Sequence, residues 1–322
     1  MKNVKKPGFL RRVLKWIGWV VLVQVILLNI SSALHAYKLT HFYKNKTVPG
    51  SKKSSQNIFT KTWKLFAGSG IAKSVITQLP QFEYETVQLI TRNDLNIEAW
   101  YSSVDSSKGT IILFHGISSN KSFLIPEAAE FRKSGFNVML VDLRAHGNSA
   151  GNTCTLGFLE SEEVKLAYDY AMSRFSKKIF LFGVSMGAVI IAKAIYDYGL
   201  KPEGVIMEMP FASLHDYMKA RARTLGFPEQ PFGALVTFWT GLEQGYNGFN
   251  YVASRYAEKI NCPVLMQWGG KDNFVLQSET EEIFEHIASP NKTLVLYNNA
   301  GHESLLNNEP EKWINEIHEF LE

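Results

Sequence analysis

The run Gly183-Val184-Ser185-Met186-Gly187 sets a serine between an apolar stretch, Ile179–Phe182, and a segment of helical period, Met186–Tyr198. A sharp strand-to-helix turn of this kind lifts the serine hydroxyl clear of both elements. Its strained backbone demands small residues two before and two after the serine. Gly183 and Gly187 meet that demand, helped by Ala188. The following helix aims its first N–H groups and its positive dipole end at the serine. A hydroxyl in this position can attack a carbonyl carbon, provided that a base takes its proton and an acid orients the base.

On a strand–helix scaffold with such a turn the order along the chain is serine, acid, histidine. The histidines after Ser185 are His215, His286, His302 and His318. His286 and His318 fall inside amphipathic C-terminal segments and read as ordinary helix residues. His215 opens a long irregular interval and reads as an exposed or ligand-facing side chain. His302 stands in Asn298-Asn299-Ala300-Gly301-His302-Glu303, a loop directly after the strand-like run Thr293–Leu296, where the base belongs. For the acid, Asp272 follows the run Val264–Gln267 in Gly269-Gly270-Lys271-Asp272. Glu208 and Asp142, each at the end of another apolar run, are the alternatives. Carbonyl addition also needs two N–H groups for the developing oxyanion. The residue after the serine, Met186, supplies one. The loop His115-Gly116-Ile117-Ser118 supplies the other through Ile117, with His115 as a structural anchor.

The elements that must position these residues are legible as alternating periods. Tyr84–Thr91 and Ile97–Ser103 read as a hairpin turning at Arg92-Asn93-Asp94. Short β-branched runs follow at Thr110–Phe114, Val138–Val141, Ile179–Phe182, Val205–Met207, Val264–Gln267 and Thr293–Leu296. Helical segments separate them at Pro126–Ser134, Glu160–Arg174, Met186–Tyr198, Glu279–Ala288 and Pro310–Leu321. Unbroken apolar strands between helices predict a parallel sheet covered on both faces, with chemistry at the carboxyl ends of its strands. Between Pro210 and Ile260 about fifty residues pass without a strand, dense in aromatics from Phe211 to Tyr256, and an insertion of that length reads as a functional helical cap.

Taken together, Phe-His-Gly-Ile-Ser at 114–118, Asp-Leu-Arg-Ala-His-Gly-Asn-Ser at 142–149, the serine turn, Gly-Gly-Lys-Asp at 269–272 and Ala-Gly-His-Glu at 300–303 resemble the α/β-hydrolase superfamily. The likeness is greatest to the branch holding serine aminopeptidase-like and monoacylglycerol-lipase-like enzymes, and it covers residues 84–322. It implies an α/β-hydrolase fold: a mostly parallel sheet flanked by helices, with a helical cap insertion. It also implies Ser185, Asp272 and His302 as a catalytic triad. Two departures stand out. Ala145 occupies a position where family members often have glycine, and the loop after His115 lacks the extra glycines of lipases with a His-Gly-Gly-Gly run. Arg144 and His146 resemble loop-tying residues more than substrate ligands.

Charge is divided sharply along the 322 residues. Residues 1–53 hold eleven Lys and Arg and no Asp or Glu, so with +4 for the whole chain residues 54–322 carry a net −7. An acidic body excludes nucleic acid as the expected partner. The basic end flanks Trp16–Ile30, a stretch without charge, and residues 16–36 give roughly 20 residues, the length of a transmembrane helix. Trp16, Trp19 and Tyr37 suit the two interfaces, and Arg11, Arg12 and Lys15 favour a cytoplasmic N-terminus with the body exported. A cleaved signal ending at Ser31-Ser32-Ala33 is the competing reading. The expected organisation is therefore a basic segment and anchor over residues 1–37, a stalk over 38–80 and the catalytic domain over 81–322, with the cap at about 211–259. Cys154 and Cys262 are too few for a disulfide framework.

These features point to a membrane-anchored serine hydrolase that cleaves carboxylic esters through an acyl-enzyme and needs no metal or organic cofactor. The aromatic cap and the anchor suggest a small-molecule or lipid-like acyl substrate. Amide or peptide hydrolysis of the aminopeptidase kind is the enzymatic alternative. A non-catalytic, membrane-tethered binding protein of the same fold is the other.

Overall fold

Apolar runs of five or six residues can form interior strands only if both faces are covered. The computed structural model describes residues 8–44, 57–175 and 178–322. Its strands are β1 (Glu85–Ile90), β2 (Asn96–Ser102), β3 (Thr110–Phe114), β4 (Asn137–Val141), β5 (Ile179–Val184), β6 (Gly204–Glu208), β7 (Val264–Gly269) and β8 (Lys292–Tyr297). They form one eight-stranded sheet in the order β1-β2-β4-β3-β5-β6-β7-β8. The β1–β2 hairpin and the β2–β4 pair are antiparallel. All pairs from β4 through β3, β5, β6 and β7 to β8 are parallel. Every residue of β3, β4, β6 and β7 is buried, whereas the edge strands β1 and β8 alternate between buried and open positions.

Helices α3 (Ile125–Lys133), α4 (Ser161–Arg174), α5 (Met186–Tyr198), α8 (Ala253–Ala257), α9 (Gln277–His286), α10 (Leu305–Asn308) and α11 (Pro310–Leu321) flank the sheet. Alternation along β5 serves both layers. Phe182 packs against Phe131 of α3 and Trp313 of α11, with ring centroids 5.4 and 6.4 Å away. Gly183 faces the other way, against α5. The strand-free interval folds as α6 (Leu214–Leu225) and α7 (Phe232–Gln244), followed by α8. Both cysteines are free; Cys154 is buried and Cys262 half-buried.

The chain begins its described part with α1 (Phe9–Thr40), the one described helix long and apolar enough to cross a bilayer. It runs past Ala36, and its outer portion differs from its inner one. Residues up to Ile30 are mostly exposed, whereas Ser31, Ser32, His35, Ala36, Leu39 and Thr40 are buried. Small residues there let α1 approach α7, and Gln244 Nε2 donates to Thr40 Oγ1 at 3.2 Å. The stretch expected to be a stalk also returns to the body. Phe42 is buried, its N–H donates to Asn152 O at 2.7 Å, and Cys154 N–H donates to Thr40 O at 2.8 Å. Asn120 Nδ2 holds Val75 O at 3.2 Å, and Lys73 Nζ donates to Ser149 O. Within that stretch lies a short amphipathic helix, α2 (Ile58–Ala67). Lys2, Lys5, Lys6, Lys46, Lys52 and Lys53 of the basic segment lie outside the described residues.

Candidate active site

The serine turn takes the shape its glycines demand. Ser185 sits between β5 and α5 with φ 53° and ψ −116°, a left-handed backbone that costs a non-glycine residue free energy. A Cβ on Gly187 would lie 2.1 Å from Phe114 O, and one on Gly183 would lie 2.5 Å from the Gly187 backbone. Only glycine fits either position. Ser185 N–H donates to Glu208 O at 2.8 Å, which holds the turn against the end of β6.

His302 and Asp272 converge on this serine from two neighbouring strand ends. His302 Nε2 lies 3.1 Å from Ser185 Oγ, and His302 Nδ1 lies 2.7 Å from Asp272 Oδ2. The other carboxylate oxygen, Oδ1, accepts from Phe274 N–H at 2.7 Å and Val275 N–H at 2.9 Å, which fixes the carboxylate plane. Because an ionised carboxylate only accepts, Nδ1 carries the imidazole proton and Nε2 is free to accept the serine proton. The two loops touch directly. A Cβ on Gly269 would lie 2.5 Å from Gly301 O, and Lys271 N–H donates to Ala300 O at 2.8 Å.

The alternative acids are occupied elsewhere. Glu208 Oε1 accepts from Trp313 Nε1 at 2.6 Å rather than from a histidine. Burial, reinforced by nearby Glu127, pushes its carboxyl up to about 8. Glu127 is raised as well, chiefly by burial, and accepts from Ser304 Oγ at 2.9 Å. Asp142 takes Lys121 N–H and Asn148 N–H, each at 2.8 Å, and pairs with Lys121 Nζ. Of the other histidines, His215 accepts from Gln230 Nε2 at 2.8 Å within the cap, His286 bonds its own helix at Glu282 O, and His318 meets Ser134 Oγ at 2.9 Å.

The loop after β3 carries Ile117 beside the serine. A Cβ on Gly116 would lie 3.4 Å from Ser185 Cβ. The N–H groups of Ile117 and Met186 have no protein partner among the described residues, the latter because it opens a helix. Two buried histidines hold this loop. His115 Nε2 accepts from Leu143 N–H and His146 Nε2 accepts from Ser118 N–H, both at 3.1 Å. Their Nδ1–H groups donate to Gly116 O at 2.7 Å and Arg144 O at 2.8 Å. Burial is the main cause that lowers His115 to about 4 and His146 to about 3, so both stay neutral and can accept. Arg144 ties the loop after β4, which carries His146, to α4 through Glu163 at 2.7 Å and Glu162 at 3.2 Å. Ala145, where relatives of the motif often carry glycine, holds φ 63° in the same turn.

A cleft of about 500 Å³ opens over the serine. Ile117, Phe123, Leu124, Met209, Tyr217 and Phe274 form its apolar wall, and Phe274 stands 5.2 Å from the His302 ring. The cap contributes less than its aromatic density suggested. Among the aromatics from Phe211 to Tyr256, only Tyr217 lines this cleft. Most of the others build the cap's own interior, as in Phe227 on Phe232 at 4.6 Å, or pack on the body, as in Tyr246 on Phe158 at 4.1 Å, while Phe238 and Phe249 are exposed. Phe123 and Phe274 carry no cap signal in the sequence. Lys121, fully buried between Asp142 and Glu98, escaped it as well.

The sheet order, the turn at Ser185 and the loops above it define an α/β hydrolase. A model of the serine aminopeptidase S33 family matches residues 105–239 and 237–311, and the chain belongs to that family. A Pyrococcus furiosus esterase structure superposes with a TM-score of 0.67 at 25% identity, over 78% of this chain and 96% of that one. A membrane protein of Saccharomyces cerevisiae is 25% identical over 69% of this chain and 75% of its own length. A lysophosphatidylserine lipase of Danio rerio is 22% identical over 61% of this chain and 51% of its own. The family makes the chain a hydrolase, and an esterase and a lipase are among its relatives.

Proposed function

We propose that this hydrolase is a membrane-anchored serine esterase that acts on lipid-derived or similarly apolar acyl esters. The observation that carries the proposal is the continuous path from Ser185 Oγ through His302 to Asp272, with contacts of 3.1 and 2.7 Å, beside two N–H groups without a partner among the described residues. Ser185 Oγ adds to the ester carbonyl carbon as its proton passes to His302 Nε2. The carbonyl oxygen takes the electron pair, and the N–H groups of Ile117 and Met186 receive its charge. Collapse breaks the bond to the leaving alcohol, which takes the proton from His302. Water then gives a proton to His302 and attacks the acyl-enzyme, releasing the acid and restoring Ser185. Asp272 keeps the imidazole in the tautomer that accepts, and stabilises the imidazolium between the two steps.

The apolar wall of the cleft supports an acyl or aryl group next to the carbonyl. The lipid reading draws on α1 and on the lipase among the relatives. We place the N-terminus of α1 in the cytoplasm and the catalytic body on the exported side, on the strength of Arg11, Arg12 and Lys15. The test is turnover of a chain-length series of aryl and glyceryl esters beside a panel of aminoacyl amides. Esters of medium or long chains are expected to be cleaved fastest. A clear preference for the amides would overturn the esterase reading in favour of the aminopeptidase-like one.

A further inference from the structure

Ten residues after the undescribed part of the N-terminal segment form α2, and its apolar side faces outward. Ile58, Phe59 and Trp63 are 70, 80 and 59% exposed. Helical spacing puts them on one side with Thr62, while Lys61 and Lys64 take the other. A helix on a water-facing surface would turn such a stripe inward.

This orientation is held by bonds rather than left loose. The carbonyls near the C-terminal end of a helix lack partners of their own. In α2 they are taken by α1: Ser31 Oγ donates to Phe66 O at 2.5 Å, His35 Nε2 to Leu65 O at 3.0 Å, and Lys38 Nζ to Gly68 O at 2.9 Å. At the other end, Asn57 Oδ1 accepts from Thr60 N–H at 2.9 Å. So α2 is clamped to α1 at the level where α1 passes from exposed to buried.

That level matters because the free part of α1 is short. Trp16–Ile30 is charge-free and mostly exposed, and at 1.5 Å per residue it spans about 22 Å, against about 30 Å of bilayer hydrocarbon. Lys15 and its neighbours can reach outward from one end. The remaining shortfall draws the other end, and the body fixed to it, into the interfacial layer.

We propose that α2 is an interfacial helix. Ile58, Phe59 and Trp63 enter the boundary between headgroups and acyl chains, and Lys61 and Lys64 stay at the phosphates. Together, α1 and α2 seat the catalytic body on the bilayer surface. The inference rests on α1 spanning the membrane.

The test uses the full chain in phosphatidylcholine–phosphatidylglycerol vesicles with Cys262→Ser. A nitroxide is attached in turn to Leu22→Cys, Phe59→Cys and Lys64→Cys, and its collisions with oxygen and with a water-soluble nickel chelate are measured. Leu22→Cys is expected to report the acyl core. Phe59→Cys should collide at least about tenfold less often with nickel than Lys64→Cys while staying open to oxygen. Equal nickel access at Phe59→Cys and Lys64→Cys, with Leu22→Cys shielded, would overturn the interfacial helix and spare the anchor. Nickel access at Leu22→Cys would overturn both. Shielding of Phe59→Cys from both reagents, with spin–spin broadening, would assign the face to a second copy instead.

Discussion

Replacing Asp272 by asparagine separates orientation from structure at the candidate site. The amide oxygen of Asp272→Asn can keep both bonds now made by Oδ1, from Phe274 N–H and Val275 N–H. The NH₂ group then replaces the oxygen that lies 2.7 Å from His302 Nδ1, and it can only donate. The imidazole must therefore offer a bare Nδ1 and carry its proton on Nε2, 3.1 Å from the serine it should deprotonate. A wrong tautomer of this kind lowers kcat by on the order of 10⁴, about 5.4 kcal/mol of transition-state stabilisation. The fold should register almost nothing. Asp272→Ala makes the contrast, because it leaves the buried Val275 N–H and the half-buried Phe274 N–H without their acceptor, at about 1–3 kcal/mol for a fully buried group. The assay is steady-state hydrolysis of an aryl ester in detergent, paired with thermal melting followed by tryptophan fluorescence. Both variants should lose activity, and only Asp272→Ala should melt clearly lower. Activity of Asp272→Asn within about tenfold of the parent would refute Asp272 as the orienting acid.

Three further outcomes follow from the same geometry. Glu208 holds its proton up to about 8 in the fold, whereas an unfolded glutamate ionises near 4.5, so the native state binds the extra proton between those values. Stability should fall as pH rises through that window, by on the order of a few kcal/mol, and Glu208→Gln should flatten the fall; parallel melting curves against pH would contradict this. Gly269→Ala would push a methyl to 2.5 Å from Gly301 O and part the loops that carry Asp272 and His302. Its kcat/KM should drop roughly 100-fold with the circular dichroism unchanged, and a loss below about threefold would count against that close approach. Phe42→Ala removes a buried ring that packs edge-on to His146 at 4.9 Å. It should cost about 3–5 kcal/mol in a denaturant titration, and a loss under about 1 kcal/mol would mean that the segment after α1 is not docked on the body.

The strands, the helices behind them and the order Ser185, Asp272, His302 were legible because each rests on local pattern: unbroken apolar runs, a glycine-flanked turn, loops at strand ends. The choice between Asp272 and Glu208 was not local. Both end neighbouring strands, and what separates them is the contact of the Gly269 and Gly301 loops against the bond from Trp313 to Glu208. Lys121 was invisible because a lysine reads as solvated until Asp142 and Glu98 are brought around it by chains far apart in sequence. Aromatic density in the cap reads equally well as a cap core or a ligand wall, and it became mostly the former. The end of the exposed part of α1 was hidden for a similar reason, since Ser31, Ser32 and Ala36 suit a helix neighbour as well as a membrane.

The account stands most directly on Ser185 as a nucleophile activated by His302. Treatment of the full chain with a fluorophosphonate, followed by peptide mapping, should place one phosphonyl group on Ser185. The adduct should be absent from Ser185→Ala and formed far more slowly by His302→Ala. No adduct on the wild type, or equal labelling of Ser185→Ala, would contradict it.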